Sequence, residues 1–325
     1  MKKLLIVRAP FGEIFMPQCR EILESEYIVD ELLSVKSPDY SSVFHKYYHK
    51  IFNLFFIHFL KRRDYYTILA DKRKNRHYEI CLNKIKQNVY DTILVFRGDR
   101  VPEFALKQLQ KQSKEIINYQ FDGMKMCPEI VNKKDFFNTI YSFEKNDIIN
   151  YPEFQMKFAP NFYFEYKNEN KQAESEADFY YLGVGLQERI RTLTEINSLF
   201  PEKKKMFIVS HQNPLPEYFT RQTINYIKNL DNVQSSNCLI DIKLEAHDGL
   251  SFRFFEALYY QKKLITNNKA VKEYNFYHPD NILIVDYEHL NKEEIERFLN
   301  KEYHVIDKEI TEYYSLRNWL ARVLN

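Results

Sequence analysis

Glycine is scarce in this 325-residue chain, which contains only six, although glycine ordinarily makes up about 7% of residues. Tryptophan occurs once and cysteine four times, and the cysteines form neither a CxxC pair nor a Cys/His ligand set. A disulfide framework or a zinc site is therefore not expected. We expect a reducing, cytoplasmic environment instead.

The chain also lacks an excess of charge of either sign and any long apolar run. Lys and Arg number 47 against 45 Asp and Glu, a net charge of +2, which does not favour a nucleic-acid partner. The N-terminal apolar run is too short for a signal peptide, and the run at 51–60 is about half a membrane span. A composition of 45% hydrophobic residues indicates a globular protein, and the length of 325 residues predicts about two domains.

Each of the few glycines follows a short run of apolar, β-branched or aromatic residues, and a helix-like segment comes next. This is the strand-turn-helix pattern of a parallel sheet, in which ligands bind at the carboxyl ends of the strands. A single glycine in such a place is equally well explained by an ordinary tight turn. Together they predict a site at the positions Gly12, Gly98, Gly123, Gly183, Gly185 and Gly249.

Two series of strand-helix units divide the chain and predict an α/β fold of two Rossmann-like domains facing a central cleft. We expect domains at 1–165 and 178–307, joined by a polar linker at 166–177. The pattern places helices at 16–25, 215–228 and 250–261, among others. The final helix, within 308–325, carries the single tryptophan, Trp319, and is predicted to pack back on the first domain.

The most informative segment is 238–267, which reads as strand, acidic-glycine turn, amphipathic helix and strand. Asp248 stands where a helix N-cap is expected, and Gly249 would allow a ligand to approach closely. Leu250 and Ser251 would then offer backbone N–H groups at the helix start, which predicts an anion site.

Three side chains near this turn are candidates for ligand binding. Arg253 would lie in the first helical turn, and Glu256 about two turns after Asp248. Glu256 stands among apolar residues, where a carboxylate needs a partner; the alternative is a solvated helix residue. His247 would contact the donor or would be a hydrogen-bonded turn histidine.

At these residues the sequence resembles the GT-B glycosyltransferases, especially bacterial enzymes of lipopolysaccharide and capsule synthesis. Asp248 and Glu256 match the acidic-x7-Glu signature, with Asp in place of the commoner Glu, and GLSFRFFEALYYQKKLIT resembles the helix and strand that follow it. The resemblance covers about thirty residues and extends more weakly to ADFYYLGVGLQERI and NYQFDGMKMCPEI. It implies that Glu256 binds the nucleotide ribose, that Asp248 binds the donor sugar, and that the turn at 249–251 holds the diphosphate.

Further candidates flank the expected cleft. Gly183, Gly185 and Arg189 follow the first strand of the second domain, where arginine suits a diphosphate. Glu188 stands where a dinucleotide fingerprint needs a small residue, which disfavours a nicotinamide cofactor. On the acceptor side we expect Gly12, Glu13, Arg97 and Asp122, with Asp122 as general base if the reaction inverts configuration; the alternatives are that Asp122 caps a turn and that Arg97 pairs with Asp99.

The segment 44–63 interleaves aromatic and basic residues at near-helical spacing. This predicts either an interfacial helix that meets the inner face of the membrane or an ordinary core face with a solvated basic face.

The predicted activity is transfer of a sugar from a nucleotide-sugar donor to a growing surface glycan, of the lipopolysaccharide or capsule type, with a glycan or lipid-linked glycan as acceptor. The resemblance implies a retaining, metal-independent reaction without a cofactor, in a cytoplasmic enzyme that is peripheral to the membrane if 44–63 binds it. The alternatives are a nucleotide-sugar epimerase of the same fold and a non-catalytic nucleotide-sugar-binding protein.

Overall fold

A computed structural model describes residues 1–7, 11–32, 42–169, 176–211, 213–245 and 247–325. The strands of its first half are Lys2–Val7 (β1), Tyr27–Leu32 (β2), Tyr90–Phe96 (β3), Ser113–Gln120 (β4), Thr139–Ser142 (β5) and Lys157–Phe158 (β6). They form one parallel sheet in the order β2-β1-β3-β4-β5-β6. The central strands β1 and β3 carry continuous apolar runs that are buried, as a sheet covered on both faces requires.

The helices of the first half are Gly12–Leu23 (α1), Val43–His58 (α2), Tyr65–Lys84 (α3), Glu103–Lys111 (α4) and Lys145–Asn150 (α5). Helix α1 begins four residues before the predicted start because Phe11, in a left-handed conformation, already turns the chain. Among the helices that the structure describes, none combines the length and apolar character needed to cross a bilayer.

The second half repeats the architecture. Its strands are Ala177–Val184 (β7), Lys205–Ser210 (β8), Phe219–Arg221 (β9), Ser236–Asp241 (β10), Lys263–Thr266 (β11) and Ile282–Ile284 (β12). These strands are parallel, in the order β12-β11-β10-β7-β8-β9. The helices between them are Gln187–Leu199 (α6), Tyr226–Gln234 (α7) and Phe252–Tyr259 (α8), and Lys292–Leu299 (α9) follows β12.

One helix prediction in the second half is wrong, and another is confirmed with a later start and a different N-cap residue. The helix expected at 215–228 is replaced by β9 and the start of α7, because Pro214 and Pro216 lack the N–H groups that a helix needs and because the Asn225 side chain caps α7 by accepting from the Lys228 N–H at 2.8 Å. The helix expected at 250–261 begins at Phe252 with Ser251 as its N-cap residue, so Asp248 is not the cap.

The C-terminal segment forms two helices, Lys308–Tyr313 (α10) and Leu316–Leu324 (α11), where the sequence predicts one. Trp319 of α11 is fully buried, and its ring lies 4.7 Å from Phe162, 4.8 Å from Tyr119 and 5.8 Å from Phe96. Helix α11 therefore contributes to the core beneath the first sheet.

The chain crosses between the two halves twice, and the two crossings are hydrogen-bonded to each other. The Tyr163 N–H donates to the Tyr314 carbonyl at 3.0 Å, and the Leu316 N–H donates to the Tyr163 carbonyl at 3.0 Å. The segments that follow β4, β5 and β10 line one cavity, so the carboxyl ends of both sheets face a common cleft.

Candidate functional site

The cleft contains a cavity of about 250 Å³ whose walls come from both domains. Aromatic side chains form most of the first-domain wall, while the second-domain wall carries charged and polar groups. The lining includes Phe11, Phe121, Asp122, Phe143 and Asn161 from the first domain, and Arg189, Asp241, Lys243, His247, Gly249, Ser251, Phe252 and Asn268 from the second.

Asp241, at the end of β10, organises the second-domain wall. Its carboxylate accepts hydrogen bonds from Ser251 Oγ at 2.8 Å, Arg253 Nη1 at 3.1 Å and Thr266 Oγ1 at 2.9 Å. Arg253 also donates to the Leu182 carbonyl. The sequence analysis did not select Asp241, although it ends a buried strand just as Asp122 follows one, and that signal was sufficient to find it.

Arg253, predicted as a ligand-binding residue, is instead held by contacts within the second domain. The guanidinium packs over the Tyr181 ring at 5.2 Å and is only 16% exposed. Arg253 is not among the residues that line the cavity. Its place beside Asp241 fixes the first turn of α8 against the ends of β7 and β10.

The start of α8 presents unpaired backbone donors to the cleft. The N–H groups of Gly249, Leu250 and Ser251 have no acceptor among the described residues, and the Ser251 side chain is bonded to Asp241 instead of capping the helix. Free N–H groups at a helix N-terminus attract anions. Of the six glycines, Gly249 alone is in the cavity lining given above.

Close approach, not backbone conformation, explains the glycine at position 249. No described glycine has a positive φ. A Cβ atom at Gly249 would lie 2.4 Å from Phe143 Cε2 and 2.9 Å from Glu144 Cγ, both in the first domain. The turn before α8 therefore touches the opposite wall at the base of the cleft.

Arg189, in the first turns of α6, also faces the cavity. Its Nη2 donates to the Ile242 carbonyl at 3.0 Å, whereas its Nε is buried and has no partner among the described residues. Arg191, two residues on, is exposed and lies 3.7 Å from Glu288. Gly183 lies near the end of β7 and Gly185 directly follows that strand in the chain; neither is in the cavity lining.

Asp248 lies beside the main cavity, in a smaller one that it shares with Gly249 and Asn146. Hydrogen bonds from Lys243 at 2.9 Å and Asn146 at 3.1 Å lower the pKa of Asp248. Its backbone N–H donates to Glu144 Oε1 at 3.1 Å, across the domain boundary. No group of three or more His, Cys, Asp or Glu residues in the described ranges is arranged as a metal site.

His247 faces the cavity and is backed by a buried acid. Its Nδ1 lies 3.4 Å from Glu144 Oε1, and Glu144 is 3% exposed. The imidazole also packs edge-on near Phe143, with ring centroids 6.3 Å apart. The imidazole Nδ1 is buried and has no hydrogen-bond partner among the described residues.

Glu256 is buried in the wall behind the cavity and is not part of its lining. Its Oε1 accepts from Tyr226 Oη at 2.5 Å and from Asn229 Nδ2 at 3.0 Å, whereas no described residue donates to Oε2. Burial raises the pKa of Glu256, and the hydrogen bond from Tyr226 opposes that shift. Tyr226 in turn stacks on Phe11, with ring centroids 3.9 Å apart.

The first-domain candidates are largely occupied by other contacts. Arg97 donates to Asp99 through Nε and Nη2, both at 2.8 Å, and also forms an ion pair with Asp122. Of these three side chains, only Asp122 lines the cavity. Glu13 accepts from the Tyr226 N–H at 2.7 Å, at the start of α7. Gly12 is the first residue of α1.

Replacing Asp147 with asparagine is expected to make stability fall less steeply with rising pH between about pH 4 and pH 6. Burial raises the pKa of this carboxyl from 3.8 to about 6, against hydrogen bonds from Ser142 and the Met124 N–H. The folded chain then holds a proton that the unfolded chain has released. Stability therefore falls as pH rises through this window, by about 3 kcal/mol.

Urea unfolding at a series of pH values measures this effect, with exposed Asp135→Asn as the control. Asparagine can still accept from the Met124 N–H and can donate to Ser142, so the variant should fold. Parallel stability curves for the wild type and Asp147→Asn across the window would contradict the assignment.

Comparison with known proteins identifies relatives by structure alone. No family model matches the chain, and no curated protein matches it by sequence. The N-terminal domain of trehalose-6-phosphate phosphatase from Candida albicans is similar, with a TM-score of 0.59 at 10% identity, covering 100% of this chain and 96% of that one. AviGT4, a glycosyltransferase involved in avilamycin A biosynthesis, gives 0.57 at 10% identity, with coverage of 100% and 96%.

A third similar structure is WaaB, a lipopolysaccharide outer core galactosyltransferase in its apo form. Its TM-score is 0.51 at 9% identity, and the match covers 100% of this chain and 99% of WaaB. Likeness at this level of identity shows the fold. The predicted fold is thereby confirmed: two Rossmann-like domains face a central cleft, as in the GT-B glycosyltransferases.

Proposed function

We propose that the chain is a glycosyltransferase that takes a sugar from a nucleotide-sugar donor, with the donor diphosphate bound between α6 and α8. The observation that carries this proposal is that Arg189, whose buried Nε has no partner among the described residues, lines the same cavity as Gly249 and Ser251, whose N–H groups have no acceptor there. An arginine and a helix N-terminus that converge on one cavity are complementary to a diphosphate.

The proposed chemistry needs electrostatic stabilisation of the leaving group. The bond between the sugar C1 and the diphosphate oxygen breaks, and a bond from C1 to an acceptor hydroxyl oxygen forms, while the hydroxyl proton passes to the departing diphosphate. Arg189 and the α8 N–H groups would stabilise the charge that develops on that leaving group. We propose the retaining course, for which this proton route needs no separate base.

For the two carboxylates of the acidic-x7-Glu signature, we propose contacts with the donor sugar for Asp248 and with the ribose for Glu256. Asp248 would bind hydroxyls of the donor sugar from the adjoining cavity, held in place by Lys243 and Asn146. Glu256 lies behind the cavity lining, so its Oε2 would contact the ribose only after the residues in front of it move. The ion pair of Asp122 with Arg97 would have to break before Asp122 could act as a base, which favours the retaining course over the inverting one.

For the acceptor we propose a growing surface glycan of the lipopolysaccharide or capsule type. The resemblance of 238–267 to enzymes of that class supports this, as does the similarity in fold to a lipopolysaccharide galactosyltransferase. An epimerase is the second candidate, since a UDP-N-acetylglucosamine 2-epimerase from Rickettsia bellii also shares the fold, with a TM-score of 0.51.

Incubation with a panel of nucleotide sugars, without acceptor, separates these functions. A transferase should release free sugar and nucleoside diphosphate slowly, an epimerase should return an altered nucleotide sugar of the same mass, and a binding protein should leave the donor unchanged. Mass spectrometry detects the first outcome, and chromatography or NMR of the recovered donor detects the second. Either of the last two outcomes overturns the transferase proposal.

Arg189→Gln is expected to weaken binding of the tightest nucleoside diphosphate in the panel by about 10- to 100-fold, because hydrogen bonds to a charged group contribute about 1.5 to 3 kcal/mol. Arg191→Gln is the matched control, since it removes the same charge from the same helix at an exposed position. Titration calorimetry measures both. Equal losses in the two variants, or none in Arg189→Gln, would exclude Arg189 as the diphosphate ligand.

A further inference from the structure

Helices α2 and α3, with their flanking residues 42–88, form an aromatic hairpin whose apolar side chains are turned to solvent. Along α2 and just beyond it, Phe44 is 87% exposed, Ile51 66% and Phe59 76%. Of the residues of α2, only His49 is buried. The alternative that these aromatic residues form ordinary core is therefore wrong.

The exposed residues follow one face of α2. Phe44, Tyr48, Ile51 and Phe55 recur at intervals of four, three and four, which places them on one stripe of a helix. The adjoining face, about a quarter turn round the helix, carries Phe52 and Phe56, which pack against Tyr65 of α3. The ring contacts of Tyr48 and Phe55 in the stripe are with neighbours on or just after α2 itself.

The hairpin also concentrates the positive charge of the chain. Residues 42–88 contain eleven Lys and Arg against three Asp and Glu, a net charge of +8, although the whole chain has only +2. The remainder of the chain is therefore net negative, at −6. Lys46 and Lys50 border the exposed side of α2, separated from the stripe by the exposed Tyr47 and Leu54. Lys61 and Arg63 follow the helix.

We propose that the aromatic hairpin docks on an anionic lipid bilayer, with the α2 stripe inserted among the headgroups and the flanking lysines and arginines against the lipid phosphates. An apolar helix face bordered by basic residues has this preference. A second copy of the chain is a poorer occupant, because two surfaces of charge +8 repel each other. The surface does not depend on the activity proposed above, and neither does its test.

Helix α2 is held by the first domain, because it packs on α3 and α3 packs on α4. A bilayer docked on α2 would therefore lie against the first domain.

Flotation with phosphatidylcholine vesicles, with and without phosphatidylglycerol, tests the charge contribution. The combined Lys46, Lys50, Lys61 and Arg63→Gln variant should bind anionic vesicles at least about 100-fold more weakly than the wild type, since each charge near the surface contributes about 1 kcal/mol. The matched control replaces the exposed lysines Lys107, Lys111, Lys292 and Lys308 with glutamine and should bind as the wild type does.

Fluorescence tests the insertion separately. The chain's single tryptophan, Trp319, is buried in the first-domain core, so a tryptophan introduced by Phe44→Trp supplies a signal from α2. Brominated lipids in anionic vesicles should quench the fluorescence of Phe44→Trp and leave that of the wild type unchanged.

Three outcomes overturn the proposal. They are absence of wild-type binding to anionic vesicles at low salt, equal loss in the control variant, and a wild-type dimer that dissociates when Phe44, Ile51 and Phe55 are replaced by serine. The last result, read by light scattering, would assign the stripe to a second copy of the chain. Donor hydrolysis by each variant, measured without vesicles, shows independently whether the active site is intact.

Discussion

Asp241→Ala is expected to lower the free energy of unfolding by about 3 to 5 kcal/mol and to abolish donor binding. The substitution removes the carboxylate partner of Arg253, whose guanidinium is only 16% exposed. A buried charge left without its partner is strongly destabilising. Ser251 and Thr266 lose their acceptor in the same step, so the start of α8 is no longer fixed beneath the cleft.

Urea unfolding measures the loss, and two further variants define its cause. Asp241→Asn keeps a side-chain oxygen that can accept from Ser251 and Arg253, and should lose less stability than alanine. Asp178→Ala removes a partly exposed carboxylate that lies 3.8 Å from Lys203 and accepts from the Lys204 N–H at 2.9 Å, and should cost less, about 1 to 2 kcal/mol. Equal unfolding midpoints for Asp241→Ala and Asp178→Ala would show that Asp241 does not hold α8.

Glu256→Ala is expected to reduce transfer below detection. Glu256→Gln should show how much of that loss comes from a destabilised fold and how much from a lost contact with the donor. Alanine leaves the buried donors of Tyr226 and Asn229 without an acceptor, which costs about 1 to 3 kcal/mol of stability for each group. Glutamine supplies Oε1 to both donors and should preserve the fold. It replaces the unpartnered Oε2 of the carboxylate with an amide, so donor affinity should still fall by about 10-fold or more.

Calorimetry with the nucleoside diphosphate, together with thermal unfolding, distinguishes the outcomes. Tyr226→Phe is the matched control, because it removes one hydrogen bond to Glu256 but keeps the ring that stacks on Phe11. Wild-type affinity in Glu256→Gln would mean that Glu256 only joins α7 to α8, and that the ribose is bound elsewhere.

The architecture could be predicted from the sequence because strand signals in a doubly covered sheet are strong. The runs at 4–7 and 93–96 are continuous and apolar, and they are buried strands as expected. The helix prediction for the region before α7 was wrong because it followed the apolar spacing across 215–228. It gave too little weight to two prolines and to an asparagine cap at Asn225.

The candidate site was harder to predict because its organisation depends on contacts between segments far apart in the chain. The motif at 248–256 identified a turn that lines the cavity, but not the partners of its side chains. Asp241 binds Thr266 on the next strand, and Glu144 reaches the turn from the other domain. Nothing in the local spacing of residues reports such pairs. Whether Asp248 and Glu256 bind the donor stays a prediction.

The aromatic hairpin shows a different limit of sequence reasoning. Apolar residues on two faces of α2 satisfy both an interfacial and a core interpretation, and periodicity cannot say which face lies against the rest of the protein. The contact of Phe52 and Phe56 with Tyr65 decides the question.

The position of α11 has a consequence for how the chain folds during its synthesis. Trp319 completes an aromatic core with Phe96, Tyr119 and Phe162, yet the ribosome translates it after the whole of the second sheet. Domains usually fold in the order in which they emerge from the ribosome. Here the second domain can complete its core before α11 has been synthesised. Until then the aromatic side chains of the first-domain core stay exposed, and exposed apolar surface promotes aggregation, which chaperones prevent.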